Sequence, residues 1–359
     1  DFGHWFKFWA DRAVTFDGTS QNTPQAHWIG KVLLTNNEKT AVGILRMLDC
    51  SGGATGGGTA AFGLISEKVN DGTETVSILN NIISKDKEGA RKILKENFND
   101  KEINVILEQT HCQPPENYFI TSEDMVGKSG VWAHFGSWDF ERGLIYNTLK
   151  KKEYSNNVQK SSEFLQERFG YSEKRAEDFY YEVQSITDSN QANSWIAPWP
   201  SYAGSTSCSR ISNETFGCDI SGIPLIFNPT TNEMYAESST GKVYPHKVSI
   251  QTEEGVTLKQ YDESTIPLGN GRQLGIALIK NGDSYSAVAM DSDLSGSMFT
   301  RMFYQEGAGL KHFKKFSDER AFIGGRIIVW KVDWEGKEIP IVQESTDPQN
   351  NTQQHQAME

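Results

Sequence analysis

The chain is poor in cysteine. None of its four (Cys50, Cys112, Cys208, Cys218) falls in a CxxC pair, which argues against a zinc ribbon or finger. It also lacks a positive balance. With a formal net charge of −12 over 359 residues, it has no basic excess to neutralise nucleic-acid phosphates. Long apolar runs are missing too. The longest, such as 103–107 and 323–330, are strand-sized, far short of the roughly 20 residues that span a bilayer, so the chain reads as soluble. Its histidines show no HExxH or other paired spacing. Gly127-Lys128-Ser129 ends like a P-loop, but the first glycine of that motif would fall on Ser122, which argues against a nucleotide site. The Gly52–Gly58 cluster lacks dinucleotide-binding spacing and reads as a linker. Residues 291–296 open like an EF-hand loop, yet the twelfth position is Met302 instead of a bidentate Glu, and an N-cap by Asp293 explains them. No Ser-His-Asp or Cys-His set stands out by spacing.

What is present is a chain long enough for two or three domains. Residues 35–50 read as an amphipathic helix capped by Thr35 or Asn36, and 51–61 as a flexible Gly-rich loop. A helix is expected at 85–98, a buried strand at 103–110 and a short strand at 116–122. A helical stretch at 123–152 carries glycines at 127, 130 and 136, which favour kinks or close approach. Helices at about Val158–Phe169 and Glu173–Ile186 follow. From about 204 to 291 the pattern switches to short alternating strands, with a hairpin signal at Asn281-Gly282-Asp283-Ser284. Residues 292–305 and 309–316 look helical, 324–334 forms a strand, and the polar tail reads as disordered. Cys208 and Cys218 are spaced for a small disulfide-closed loop, with free thiols as the alternative; Cys50 and Cys112 are too far apart in sequence to judge.

The first line, "DFGHWFKFWADRAVTFDGTSQNTPQAHW", has no initiator Met, signal peptide or charged leader. With "YFITSEDMVGKSGVWAHFGSWDF", "SYSAVAMDSDLSGSMFTRMFY" and "GGRIIVWKVDW", it resembles the catalytic subunit of oligosaccharyltransferases, in the archaeal AglB-type branch. Members of that family carry a Trp-Trp-Asp-Tyr-Gly signature. Asp1-Phe2-Gly3 matches its last three positions with Phe for Tyr, and the two tryptophans would lie upstream. The resemblance implies transfer of an oligosaccharide from a lipid-phosphate carrier to the Asn of an Asn-X-Ser/Thr acceptor polypeptide. It implies a membrane enzyme whose globular domain, this chain, lies on the extracytoplasmic face. Asp1 would accept the hydrogen bond of the +2 Ser/Thr hydroxyl. The family's second motif lies on a kinked helix, and Met125, Lys128 and Trp132 match its spacing as a hybrid of two variants; they would line the acceptor pocket. Asp124 stands one residue early for the acidic variant, and His4 would face sugar or phosphate, or pack among aromatics.

The resemblance places the ligands of a Mg²⁺ or Mn²⁺ ion, the lipid-phosphate site and the catalytic groups outside this chain, so no catalytic residue or metal ligand is named within it and the fragment alone is expected to be inactive. The implied fold is α/β (mixed α+β): a central core at 1–199, a β-rich barrel- or sandwich-like insertion at 200–291, a return to the core at 292–344 and a tail at 345–359. The alternative reading is a non-catalytic extracellular module that binds glycan or peptide. Two sequons, Asn213-Glu214-Thr215 and Asn350-Asn351-Thr352, are candidate acceptors or chance occurrences.

Overall fold

The computed structural model describes residues 3–20, 23–52, 60–220, 222–269, 271–321 and 325–336. Most of the expected Gly-rich loop and all of the 345–359 tail lie outside the described residues. The architecture is mixed α+β, with a large sheet that curls into a half-barrel.

Helix starts follow their caps. After α1 (Gly3–Ala10) comes α2 (Pro24–Leu34), whose proline sits in the first turn, where a missing N–H costs nothing. Helix α3 (Glu38–Ser51) is capped by Asn37, which accepts from the Thr40 amide at 3.0 Å, and not by the expected Thr35 or Asn36. Helices α4 (Ala60–Val69), α5 (Gly72–Ile83) and α6 (Lys87–Leu94) follow. Helix α7 (Asp100–Thr110) replaces the strand expected at 103–110. Its β-branched run imitates a strand. Asn99 and Glu102 nonetheless form a capping box, and Ile103, Ile106, Leu107 and Thr110 recur at helical spacing on the buried face.

Strand β1 (Tyr118–Ser122) leads into α8 (Asp124–Gly127), α9 (Ser129–Gly136) and α10 (Phe140–Leu149). Helices α11 (Val158–Phe169), α12 (Glu173–Ser185) and α13 (Ser189–Ile196) complete this half and share a small core around Leu165, Tyr180 and Val183. Ten strands then form the curled sheet: β2 (Tyr202–Arg210), β3 (Phe216–Ile220), β4 (Ile223–Asn228), β5 (Glu233–Ser238), β6 (Gly241–Val243), β7 (Lys247–Gln251), β8 (Val256–Gln260), β9 (Pro267–Gly269), β10 (Arg272–Asn281) and β11 (Ser284–Asp291). The Lys259 ammonium donates to the Thr231 carbonyl at 2.8 Å, so one end of the sheet reaches back to the other.

The β10–β11 hairpin turns at the expected Asn281–Ser284 and is buried on both faces. Ile276, Leu278, Ala287 and Ala289 point into the half-barrel, while Ala277, Val288 and Met290 point into the main helical core. That two-sided burial explains its near-continuous apolar sequence.

Helix α14 (Met298–Phe303) is capped by Ser297, not by Asp293. Strand β12 (Phe313–Ala321) overturns the helix expected at 309–316, because its backbone pairs along β13 (Gly325–Val332). Strand β13 also pairs with β1, with Ile120 opposite Val329, so the end of the described chain closes the core built by its first third. Both cysteine pairs are disulfides: Cys50–Cys112 joins the end of α3 to the end of α7, and Cys208–Cys218 joins β2 to β3. The free-thiol reading of Cys208 and Cys218 is thereby corrected.

Candidate functional site

Helix α1 is pinned at its start and bare beyond it. Gly3 is buried because a Cβ there would stand 2.4 Å from the Phe16 carbonyl oxygen and 2.6 Å from the Asp17 Cβ. Asp17 is 5% exposed and works as the pin. Its Oδ1 accepts from the Thr19 amide at 3.0 Å, the Thr19 hydroxyl at 2.6 Å and the Ser20 hydroxyl at 3.2 Å. Its Oδ2 accepts from the Lys7 ammonium at 3.1 Å, with His4 Nδ1 at 3.7 Å. The Thr19 hydroxyl, above all, holds this carboxyl well below the usual range, against the opposing effect of burial; Lys7 adds to the same pull. His4 thus points to Asp17, and its ring lies against Gly18. Along the rest of α1, Trp5, Phe8 and Trp9 stand out, the last two 75% exposed. Asp1, the expected hydroxyl acceptor, lies outside the described residues.

The residues expected to form the second motif sit where a helix breaks. Lys128 separates α8 from α9 with φ −98° and ψ 7°, outside helical geometry. The break splits the three expected residues. Trp132 turns inward, 9% exposed, with its ring 5.3 Å from Phe299 and its indole N–H donating to the Met125 carbonyl at 2.8 Å. Met125 is half-buried against the same core. Lys128 stays exposed and pairs with Asp124 at 3.0 Å. Burial pushes the Asp124 carboxyl up, but hydrogen bonds from the Ser122 hydroxyl and the Lys128 ammonium outweigh it and hold the group below its ordinary value. Asp124, whose spacing did not fit the acidic motif, therefore serves as the partner of Lys128.

Neighbouring elements make this break rigid. Glu123 accepts the Arg326 amide at 2.9 Å and donates its own amide to the Arg326 carbonyl at 2.8 Å, tying the start of α8 to β13. The Arg326 guanidinium is held by Asp318 at 2.5 Å and Glu306 at 2.7 Å. Behind the motif, α9 crosses α2 at Gly30 and Gly136: a Cβ on Gly136 would lie 2.3 Å from the Gly30 carbonyl carbon. His27 on α2 donates from Nδ1 to the Phe135 carbonyl at 2.8 Å, and burial pushes its pKa down to about 4.

These acidic groups do not fit a metal. Asp17 and Asp124 spend their oxygens on hydroxyl, amide and ammonium donors, and among the described residues no cluster of His, Cys, Asp or Glu could hold an ion. No helix among them is long and apolar enough to cross a membrane. Asp17 was missed in the sequence because Asp-Gly-Thr-Ser looks like any polar turn; its signal was the glycine at position 3, which needs a backbone partner.

No family model matches the chain. It is 28% identical over 333 residues to a dolichyl-phosphooligosaccharide-protein glycotransferase of Methanococcus voltae, a match covering 88% of this chain and 32% of that protein. It is 40% identical over 144 residues to the protein of the same description from Methanocaldococcus jannaschii, covering 39% of this chain and 15% of that one. The chain thus spans less than a third of the length of the curated relatives it matches. Among solved structures, it aligns with the crystal structure of the C. jejuni PglB C-terminal domain at 10% identity and a TM-score of 0.41, over 93% of this chain and 91% of that one.

Proposed function

The chain is homologous to archaeal dolichyl-phosphooligosaccharide-protein glycotransferases, and on that premise we propose that it is the acceptor-reading domain of a membrane oligosaccharyltransferase. The whole enzyme moves an oligosaccharide from a lipid phosphate to the Asn of an Asn-X-Ser/Thr polypeptide. This domain sits on the extracytoplasmic face and holds the +2 Ser/Thr. The observation that carries the reading is the homology along most of the chain.

In this reading Asp1 accepts the hydroxyl hydrogen bond, a charge-assisted contact of about 1.5–3 kcal/mol. The Asp17 pin supports it by fixing Gly3, two peptide bonds downstream. Lys128, exposed at the break between α8 and α9 and oriented by Asp124, touches the acceptor next to the +2 side chain. Met125 and Trp132 form the apolar floor beneath it. Mg²⁺ or Mn²⁺, bound by residues outside this chain, supplies charge stabilisation at the leaving phosphate. No step of that chemistry is assigned to residues of this chain, and the domain alone is inactive.

The test is glycan transfer by the full-length protein, given lipid-linked donor, divalent metal and a fluorescent peptide. Transfer is expected to Asn-X-Thr and Asn-X-Ser but not to Asn-X-Ala. Peptide or glycan binding with no transfer to any of the three would instead make the protein a non-catalytic binding module.

A further inference from the structure

We infer that Asn213 is an N-glycosylation site of this chain, modified before its own hairpin closes. Asn213 lies at the tip of the loop between β2 and β3, in an exposed run from Ile211 to Glu214. Its carboxamide makes no hydrogen bond among the described residues, and Thr215 supplies the hydroxyl two positions on. The Cys208–Cys218 and Cys50–Cys112 disulfides fit an oxidising setting, the kind in which such a sequon is a surface acceptor. The motif, the exposure and the disulfides are separate observations, and none depends on what this chain itself catalyses.

The folded loop is the wrong shape for transfer. The Thr215 carbonyl accepts from the Ile211 amide at 3.0 Å and the Ser212 amide at 3.3 Å, and the Thr215 hydroxyl pairs with the Ser212 hydroxyl at 2.7 Å. Arg210 holds the Asn213 carbonyl at 3.3 Å. The disulfide bridges the strands directly behind this turn, so the triplet is bent and its hydroxyl engaged. An acceptor must present Asn Nδ2 and the +2 hydroxyl together to an enzyme groove, and this loop can do so only while it is open. In the step, Nδ2 forms a bond to the anomeric carbon of a lipid-phosphate-linked oligosaccharide. The anomeric C–O bond breaks, the lipid phosphate leaves with its electron pair, and the amide nitrogen gives up one proton to water. The second sequon, at Asn350, lies outside the described residues.

The test is peptide mapping by mass spectrometry of the full-length protein purified from the cell that makes it. A glycan mass is expected on the Asn213 peptide, kept in Thr215→Ser and lost in Asn213→Gln and Thr215→Ala. These exposed-loop changes leave the fold intact, which a thermal melt verifies. Occupancy in Cys208→Ser is expected to equal or exceed that of the wild type. A bare Asn213 in the wild type overturns the site, as does a mass that survives Thr215→Ala. Occupancy that falls in Cys208→Ser overturns the order of events.

Discussion

At the scale of single residues, Asp17 and His27 carry different burdens. The buried Asp17 carboxylate gathers hydroxyl and amide donors from Thr19 and Ser20, and truncating it removes these charge-assisted hydrogen bonds, so Asp17→Ala should cost about 2–3 kcal/mol in denaturant unfolding. Lys7 is half exposed and should matter far less; Lys7→Ala should cost under about 1 kcal/mol. Equal costs would mean that the ion pair, and not the Thr19–Ser20 cage, secures α1. His27 is neutral in the fold because burial depresses its pKa from 6.5 to about 4. Between those values the unfolded chain binds the proton and the folded chain does not, so stability falls as pH drops through that window and levels off below it. The depression is worth roughly 3 kcal/mol, and burial lowers His111 and His134 in the same direction. Melts at pH 7 and pH 4.5 should show a large acid loss that His27→Gln reduces; parallel curves for the two proteins would contradict this.

At the scale of elements, the crossing of α2 and α9 is the contact with the least room. Gly136→Ala must push two backbones apart and should cost about 3 kcal/mol, whereas Gly127→Ala meets nothing within 4 Å and should change stability by less than about 1 kcal/mol. Similar costs at both sites would show that helix propensity, and not the crossing, governs them. The sequence marked both glycines as kink or close-approach points; only the structure separates the two roles, since the partner of Gly136 is more than a hundred residues away at Gly30. Helices with local periodicity and caps, such as α11 and α12, were legible nearly to the residue. Elements decided at a distance were not. Strand β12 exists because β13 offers it hydrogen bonds, and α7 was misread because Ile, Val and Leu suit either state until the capping box at Asn99 is weighed.

At the scale of the whole molecule, the chain leaves its helical core, builds the curled sheet and returns to pair β13 with β1. The Cys50–Cys112 bridge closes a loop of 62 residues inside the helical part, a constraint on the order of 4 kcal/mol in the chain-entropy picture. This framework holds the α8–α9 break rigidly through Glu123 and Arg326, and it fixes the start of α1 through Asp17. The spacing of Met125, Lys128 and Trp132 was visible in the sequence, but their orientation was not: at the break the Trp132 indole lies in the core while the Lys128 side chain stays exposed. The proposed acceptor reading is tested most directly by assaying steady-state glycan transfer with the full-length protein, comparing wild type, Asp1→Ala and Lys128→Ala on Asn-X-Thr peptide. Loss of one charge-assisted hydroxyl contact should lower kcat/KM by roughly 10- to 100-fold in Asp1→Ala. Lys128→Ala should raise KM while kcat holds, and unchanged kinetics in both variants would contradict acceptor reading by this domain.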